Sequence, residues 1–399
     1  MMKRSATPSL FLLLSRTGPG PAARMSSVPR HLLESFAEPW YKSMADPASS
    51  QQATLKTLLE GYGKTEYGRR FGAESVSDPE GFRRSFPVVA YSGLRDYLAR
   101  VQGGEDSALL PEPIVRWVMT RGTTGEPKSI PATQTHLSLI LAAGARAIVN
   151  FALKKQPKVL ERPVLNLNFP SEVGMVDTGS GKGPVGYSSG TYARLNPGLG
   201  PAELVPRQEE VDELGPGIAK ADWERRFELV YQRAKGSDVG STMGVTPVIL
   251  AFARFLRRRH GTRPSDLWRP DALFCTSVAK IQTRYAPELR HHYGGVFVVE
   301  MYTATEGVFA QQLDDRPYVS PNYDCYFFEA STRRGTKMLH DMRPGEWGRV
   351  IVSTPLFPRY DIGDLVEAQG KGYFRVLGRA RLNVAAEHVL FNLITGRLP

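Results

Sequence analysis

Residues Ile114-Val-Arg-Trp-Val-Met119 run without a break into Thr120-Arg-Gly-Thr-Thr-Gly-Glu-Pro-Lys128, and a long apolar run follows from about Thr133. The first stretch has strand composition, the second is a loop dense in Gly and Thr, and the third predicts a helix. Strand, glycine-rich loop and helix in that order point to an α/β fold. Gly122 and Gly125 let backbone amides turn towards an anion. Thr123 and Thr124 add hydroxyl donors, and Lys128 adds a point charge. That set suits a phosphate. It is not a P-loop, which needs Gly directly before its Lys; here two residues, one of them Pro127, separate Gly125 from Lys128. The plainer alternative is an ordinary polar turn between strand and helix.

The rest of the chain extends the α/β pattern. Gln51–Tyr62 predicts a helix with Leu55, Leu58 and Leu59 on one face, Asp78 caps a short helix, and Tyr91–Val101 predicts another. Val164–Phe169, Asp271–Thr276 and Val296–Met301 have strand composition, and a helix at Ile281–Tyr293 makes the last two a βαβ unit. Gly174–Gly190 predicts a loop or hairpin. Its Gly179-x-Gly181-x-Gly183 has no helix after it, which argues against a dinucleotide fingerprint. Glu209–Ala234 is mainly helical, and the last third turns to strands at 326–330, 349–353, 364–368 and 373–377.

Three further short motifs could carry chemistry. Tyr302-Thr-Ala-Thr-Glu-Gly307 closes a strand, where ligands of α/β sheets gather. Tyr302 offers a ring face, Thr305 a hydroxyl and Glu306 a hard oxygen ligand for Mg²⁺. Taken alone it could be a helix cap. In Tyr360-Asp-Ile-Gly-Asp364 a carboxylate in a tight turn could accept both ribose hydroxyls, although an Asp after Gly needs no function. Gly378-Arg379 is weak by itself.

Composition excludes several classes. The 399 residues carry a net charge of +11, of which Lys3, Arg4, Arg16 and Arg24 in residues 1–27 supply +4. The remaining +7 is ordinary and compatible with a polyanion such as ATP. No aromatic-interleaved basic stripe argues for nucleic acid. The run Arg254, Arg257, Arg258, Arg259 and His260 ends an apolar helix pattern, where cations suit the helix dipole. Cys275 and Cys325 form no metal or redox motif, and a reducing cytoplasmic setting fits. No stretch reaches 18 apolar residues; Leu137–Leu153 comes nearest and is broken by Arg146 and Asn150, so no membrane partner is expected. Residues 1–27 are expected to be a disordered leader or an upstream-start extension, with Met25 as an alternative initiator.

In order and spacing, the four motifs resemble the core motifs of adenylate-forming enzymes. Thr54-Leu-Lys-Thr-Leu-Leu-Glu60, Thr65-Glu-Tyr-Gly-Arg-Arg-Phe-Gly72, Phe82-Arg-Arg-Ser-Phe-Pro-Val-Val-Ala-Tyr91, Tyr97-Leu-Ala-Arg-Val-Gln-Gly-Gly104 and Tyr326-Phe-Phe-Glu329 narrow this further. Over residues 28–390 the chain resembles the Gretchen Hagen family of auxin-responsive-type acyl-acid amido synthetases. The resemblance implies an α/β fold: a large adenylate-forming, luciferase-like N-terminal domain with mixed sheets over 28–378, then a truncated hinge stub at 379–399. It implies ATP and Mg²⁺ as cofactors, and a small carboxylic acid and an amino acid as partners. Thr123, Thr124, Gly125 and Lys128 would hold the β- and γ-phosphates. Tyr302 would stack on adenine, Thr305 would hold the α-phosphate, and Glu306 the metal. Asp364 would bind ribose, and Arg379 the ribose or the hinge, with Lys128, Thr305 and Glu306 as the catalytic set. An acyl-CoA ligase and a non-catalytic nucleotide-binding remnant are the alternatives. The sequence departs from the family pattern at Arg121, Thr303 and Asp361, and only 20 residues follow Arg379. A fragment or a natural truncation of a longer architecture is the expectation there.

Overall fold

The computed structural model describes residues 28–120, 127–178, 181–195 and 202–380. Its first part is helical: α1 (Arg30–Ala45), α2 (Pro47–Tyr62), α3 (Pro79–Ser85) and α4 (Arg95–Gln102). α2 begins four residues before the expected Gln51. Asp46 caps it by accepting from the Ser49 amide at 3.1 Å, and Pro47 suits a first turn that needs no donor. Leu55, Leu58 and Leu59 are buried, as their spacing requires. Gln51, on the same helix, donates to the carbonyls of Tyr323 and Tyr326 and accepts from the Phe328 amide, which locks α2 to the β-rich third. The expected helix from Tyr91 opens as a 3₁₀ turn, Tyr91–Leu94, before α4.

The strands form two sheets among the described residues. The smaller contains β1 (Ile114–Met119), β2 (Ser129–Thr133), β4 (Gly174–Thr178) and β5 (Gly181–Tyr187), in the order β2-β1-β5-β4. The larger contains β3 (Val164–Leu165), β6 (Leu204–Val205), β7 (Ser241–Gly244), β8 (Ala272–Thr276), β9 (Phe297–Ala304), β10 (Gly307–Gln312) and β11 (Val319–Pro321). It continues with β12 (Phe327–Thr332), β13 (Gly335–Met338), β14 (Trp347–Ser353), β15 (Tyr360–Gly370) and β16 (Tyr373–Arg379). Its order is β13-β12-β14-β15-β16-β11-β10-β9-β8-β7-β3-β6. From β6 to β9 all pairings are parallel; from β9 onward they are antiparallel. β9 is therefore the seam between two kinds of sheet.

Two strands differ in length from their sequence patterns. Val164–Phe169 contributes only β3, because Asn166 Oδ1 accepts from the Asn168 amide at 3.1 Å and turns the chain out of the sheet. β9 outruns Met301 by three residues, because it folds back as a hairpin with β10.

Helices α5 (Gln134–Lys154), α6 (Ser188–Leu195), α7 (Lys220–Ala234), α8 (Thr246–His260) and α9 (Ala286–Tyr293) cover the sheets. By length and composition α5 could cross a membrane, but most of it is buried inside the protein. The two polar residues that interrupt it are core residues. Arg146 is bound by Asp324 and Asn322, and Asn150 by Tyr41 and the Leu313 carbonyl. Both cysteines are buried thiols.

Candidate active site

The β9–β10 hairpin turns through Thr305 and Glu306 alone, with Ala304 and Gly307 as the last paired residues. The motif 302–307 is thus a tight turn at the seam between the parallel and antiparallel halves, not a helix cap. It stands at the C-terminal end of β9, the end of a strand where ligands of α/β sheets gather. Gly307 is required there: a Cβ would lie 2.6 Å from the Phe309 ring and 3.0 Å from that of Tyr326. The turn is held from outside. The Thr305 carbonyl accepts from the Tyr192 hydroxyl at 2.9 Å and lies 3.2 Å from His136 Nε2. His136 comes from the first turn of α5, which Thr133 caps, and Tyr192 from α6. Burial pushes His136 down to about 4 and Tyr192 well above the usual tyrosine range. The ring is therefore neutral, with hydrogen on Nε2, and its unpartnered Nδ1 is a bare lone pair.

Lys128 closes the loop that follows β1. The Thr120 amide donates to the Lys128 carbonyl at 2.8 Å, and the Lys128 amide donates to Thr120 Oγ1 at 3.2 Å. These bonds draw the loop ends together and aim the side chain at β15. There Nζ donates to the Tyr360 hydroxyl at 3.3 Å and lies 5.3 Å from the centre of the Tyr91 ring. Burial, then the charge of Glu306, push the Tyr360 hydroxyl far up, so it stays protonated.

Four residues along β15 from Tyr360 stands Asp364, across from Arg379 on β16. Its Oδ2 accepts from the Tyr302 hydroxyl at 2.9 Å, and Oδ1 lies 3.3 Å from Arg379 Nε. Burial raises the Asp364 carboxyl above its usual range, and Arg379 and Tyr302 oppose that shift. Gly363, at φ 81°, provides the left-handed turn that brings Asp364 round. Asp361, where the family pattern differs, takes part in this turn: it accepts from the Gly363 amide at 2.9 Å and pairs with Arg349.

Lys128, Tyr302, Thr305, Glu306, Asp364 and Arg379 thus converge from four separate stretches of sequence. Thr123, Thr124 and Gly125 lie outside the described residues. The expected stacking face of Tyr302 is not open in this structure. Its ring is only 6 % exposed and packs on Phe309 at 5.5 Å, because its hydroxyl is drawn inward by Asp364. Thr305 is also buried, and its carbonyl, not its hydroxyl, carries the hydrogen bonds just described. His136 and Tyr192 lie beside these residues and carry no motif, and Tyr91 closes the stretch Phe82–Tyr91, to which the sequence pattern assigns no role; their neighbourhood in space marks all three. Glu306 is 4 % exposed, and among the described residues no cationic side chain pairs with it within 4.0 Å. A buried carboxylate without a counter-charge suits a cation. No described cluster of three or more protein ligands surrounds it. A divalent ion there would take most of its ligands from substrate phosphates and water, as Mg²⁺ commonly does.

The fold is that of the adenylate-forming ligases. It matches a structure titled AtGH3.15 acyl acid amido synthetase in complex with 2,4-DB with a TM-score of 0.72 and 16% identity, covering 89% of this chain and 72% of the other. It matches 2-hydroxyisobutyryl-CoA ligase with a TM-score of 0.61 and 15% identity, covering 84% and 68%. Residues 38–208 match the family model described as the GH3 family N-terminal domain. A jasmonoyl–L-amino acid synthetase of Nicotiana attenuata is 36% identical over 88 residues, 22% of this chain and 15% of the relative. An indole-3-acetic acid-amido synthetase of Arabidopsis thaliana is 33% identical over 94 residues, 23% and 17%. Over residues 38–208 the chain is thus similar to the GH3 family, and the stretch shared with each of these two curated relatives spans about one sixth of that relative's length.

Proposed function

We propose that the chain binds ATP with Mg²⁺, activates a small carboxylic acid as its acyl-adenylate, and passes the acyl group to an amino acid. The observation that carries this reading is the meeting of Lys128, Glu306 and the Asp364–Arg379 pair around Tyr360 and Tyr302. A phosphate-binding cation, a metal-binding carboxylate and a hydroxyl-accepting carboxylate are what a bound nucleotide triphosphate needs. The names of the GH3 relatives, which join acids to amino acids, support the second half of the reaction.

In the first step a carboxylate oxygen attacks the α-phosphorus, the bond to the bridging oxygen breaks, and pyrophosphate leaves. Lys128 offsets the charge that grows on the phosphates. Asp364 and Arg379 hold the ribose, and the short β9–β10 turn keeps Glu306 in place. Mg²⁺, when bound at Glu306, supplies charge neutralisation at the phosphate oxygens. Catalysis is then positioning and preorganised electrostatics. In the second step the amine nitrogen attacks the acyl carbon and AMP departs.

The test is exchange of labelled pyrophosphate into ATP, screened over a panel of carboxylic acids, followed by mass spectrometry with amino acids added. Acid-dependent exchange and an amide product are expected. Thioester formation with CoA in place of amide would transfer the reading to the acyl-CoA ligases. No exchange with any acid, together with no binding of ATP, would reject it.

A further inference from the structure

The Lys128 ammonium sits between two aromatic rings. It lies 5.3 Å from the centre of Tyr91 and 5.9 Å from that of Tyr360, and gives one hydrogen to the Tyr360 hydroxyl at 3.3 Å. The two rings are fixed to each other through the backbone. The Val89 amide donates to the Arg359 carbonyl at 3.1 Å, and the Asp361 amide returns a bond to the Val89 carbonyl at 2.8 Å. The Tyr91 hydroxyl then donates to the Ser129 carbonyl, one residue past Lys128, at 3.1 Å. The short segment 89–91 thus reaches both the strand that carries Tyr360 and the chain that carries Lys128.

We propose that Tyr91 is a positioning residue whose ring face holds the Lys128 ammonium at the height where phosphate arrives. A lysine side chain loses rotamer entropy when it is ordered. A carboxylate partner would order it but would also neutralise it, and that ion pair would have to break when an anion came. Among the described residues no carboxylate pairs with Lys128 within 4.0 Å. Ring faces order the ammonium while leaving its charge intact, and among the described residues its one hydrogen bond, to Tyr360, uses one of its three N–H groups. The feature that matters is then the electron-rich face of residue 91, not its hydroxyl. This inference rests on the nucleotide reading above.

Calorimetric titration of Mg-ATP into the full chain tests it. Phenylalanine and its mono-, di- and trifluoro analogues, placed at position 91, keep the volume while draining the ring face. Tyr91→Phe is expected to bind within about twofold of wild type. Affinity should then fall stepwise with fluorination, to about three- to tenfold weaker at the end of the series, the scale of one ring face on a partly buried ammonium. In a Lys128→Ala background the same series should be flat. A flat series with Lys128 present, or an equal decline without it, overturns the proposal while the nucleotide reading stands. No ATP binding by the wild-type chain overturns both.

Discussion

Arg359 and Tyr360 are neighbours in sequence, yet they belong to two clusters of charge built in opposite ways. Arg359 faces Glu329, a fully buried carboxylate whose oxygens accept from Arg359 Nε at 2.8 Å and Arg83 Nε at 2.8 Å. Arg359 Nη2 also donates to Glu329 at 3.3 Å, and Nη1 donates to the carbonyls of Phe86 and Arg83. That closed network keeps Arg359 in a left-handed conformation, φ 43°, that a non-glycine residue rarely adopts. Tyr360 faces the other cluster, where Lys128 rests on rings, Glu306 has no cationic partner among the described residues, and burial raises the Asp364 carboxyl. In the first cluster the protein supplies each major charge with a partner. In the second, Asp364 has Arg379, but among the described residues neither Lys128 nor Glu306 has a partner of opposite charge within 4.0 Å. Charges of the first kind hold the fold, whereas charges of the second kind are of the sort that cluster at functional sites.

The contrast is sharpest if each cluster is broken in turn. Glu329→Ala strands two arginines in the interior and should cost about 3–5 kcal/mol of stability. Urea unfolding reads this, and a loss below 1 kcal/mol would show that the closed network is not what holds the sheet to α3. Lys128→Ala should slow pyrophosphate exchange by ~10²–10³-fold while shifting the unfolding midpoint little. A collapse in stability with full activity in the remaining folded protein would place Lys128 in the first class.

His136 links the two classes, since it is buried but braces the Thr305–Glu306 turn. Its folded pKa, about 4, lies below the ordinary 6.5, so the unfolded chain takes up the proton first. Stability is complete above pH 6.5 and declines as the pH falls from there towards 4, by up to about 3 kcal/mol. His136→Gln, whose amide can still donate to the Thr305 carbonyl, should lose this acid dependence; unfolding midpoints at pH 7 and 4.5 would show it. An unchanged acid slope in the variant would place the titrating group elsewhere. The smallest effect is expected from Asp364→Asn. Because the folded Asp364 pKa is raised, wild-type stability falls as pH climbs from 3.8 through that higher value and is level above it. The variant should therefore be no less stable at pH 7, yet bind ATP about tenfold more weakly for want of charged hydrogen bonds to ribose. A clear drop in its melting temperature would contradict this.

Much of the fold was legible because it is written in local pattern. The sequence pattern and the structure agree on β1, Ile114–Met119, to the residue, since its largely apolar run ends where the Gly/Thr loop begins. Leu55, Leu58 and Leu59 marked the buried face of α2, and the βαβ unit around α9 followed from two apolar strands flanking an amphipathic helix. The motif order likewise pointed to Lys128, Glu306, Asp364 and Arg379 before any coordinates. What local pattern does not contain is the partner across space. The sequence alone could not show that Tyr302 turns its hydroxyl inward to Asp364, 62 residues away, and so buries the ring expected to face a base. It could not show that Arg146 and Asn150, which seem to interrupt an apolar helix, are its most firmly bonded core residues. Nor could it single out His136 or Tyr192, which meet only at the Thr305 carbonyl, or give Tyr91 a role before Lys128 is placed over its ring. Periodicity and capping act over a few residues and are set by the chain itself. Burial and charge pairing depend on which distant segments exclude water together, and the tertiary structure alone decides that.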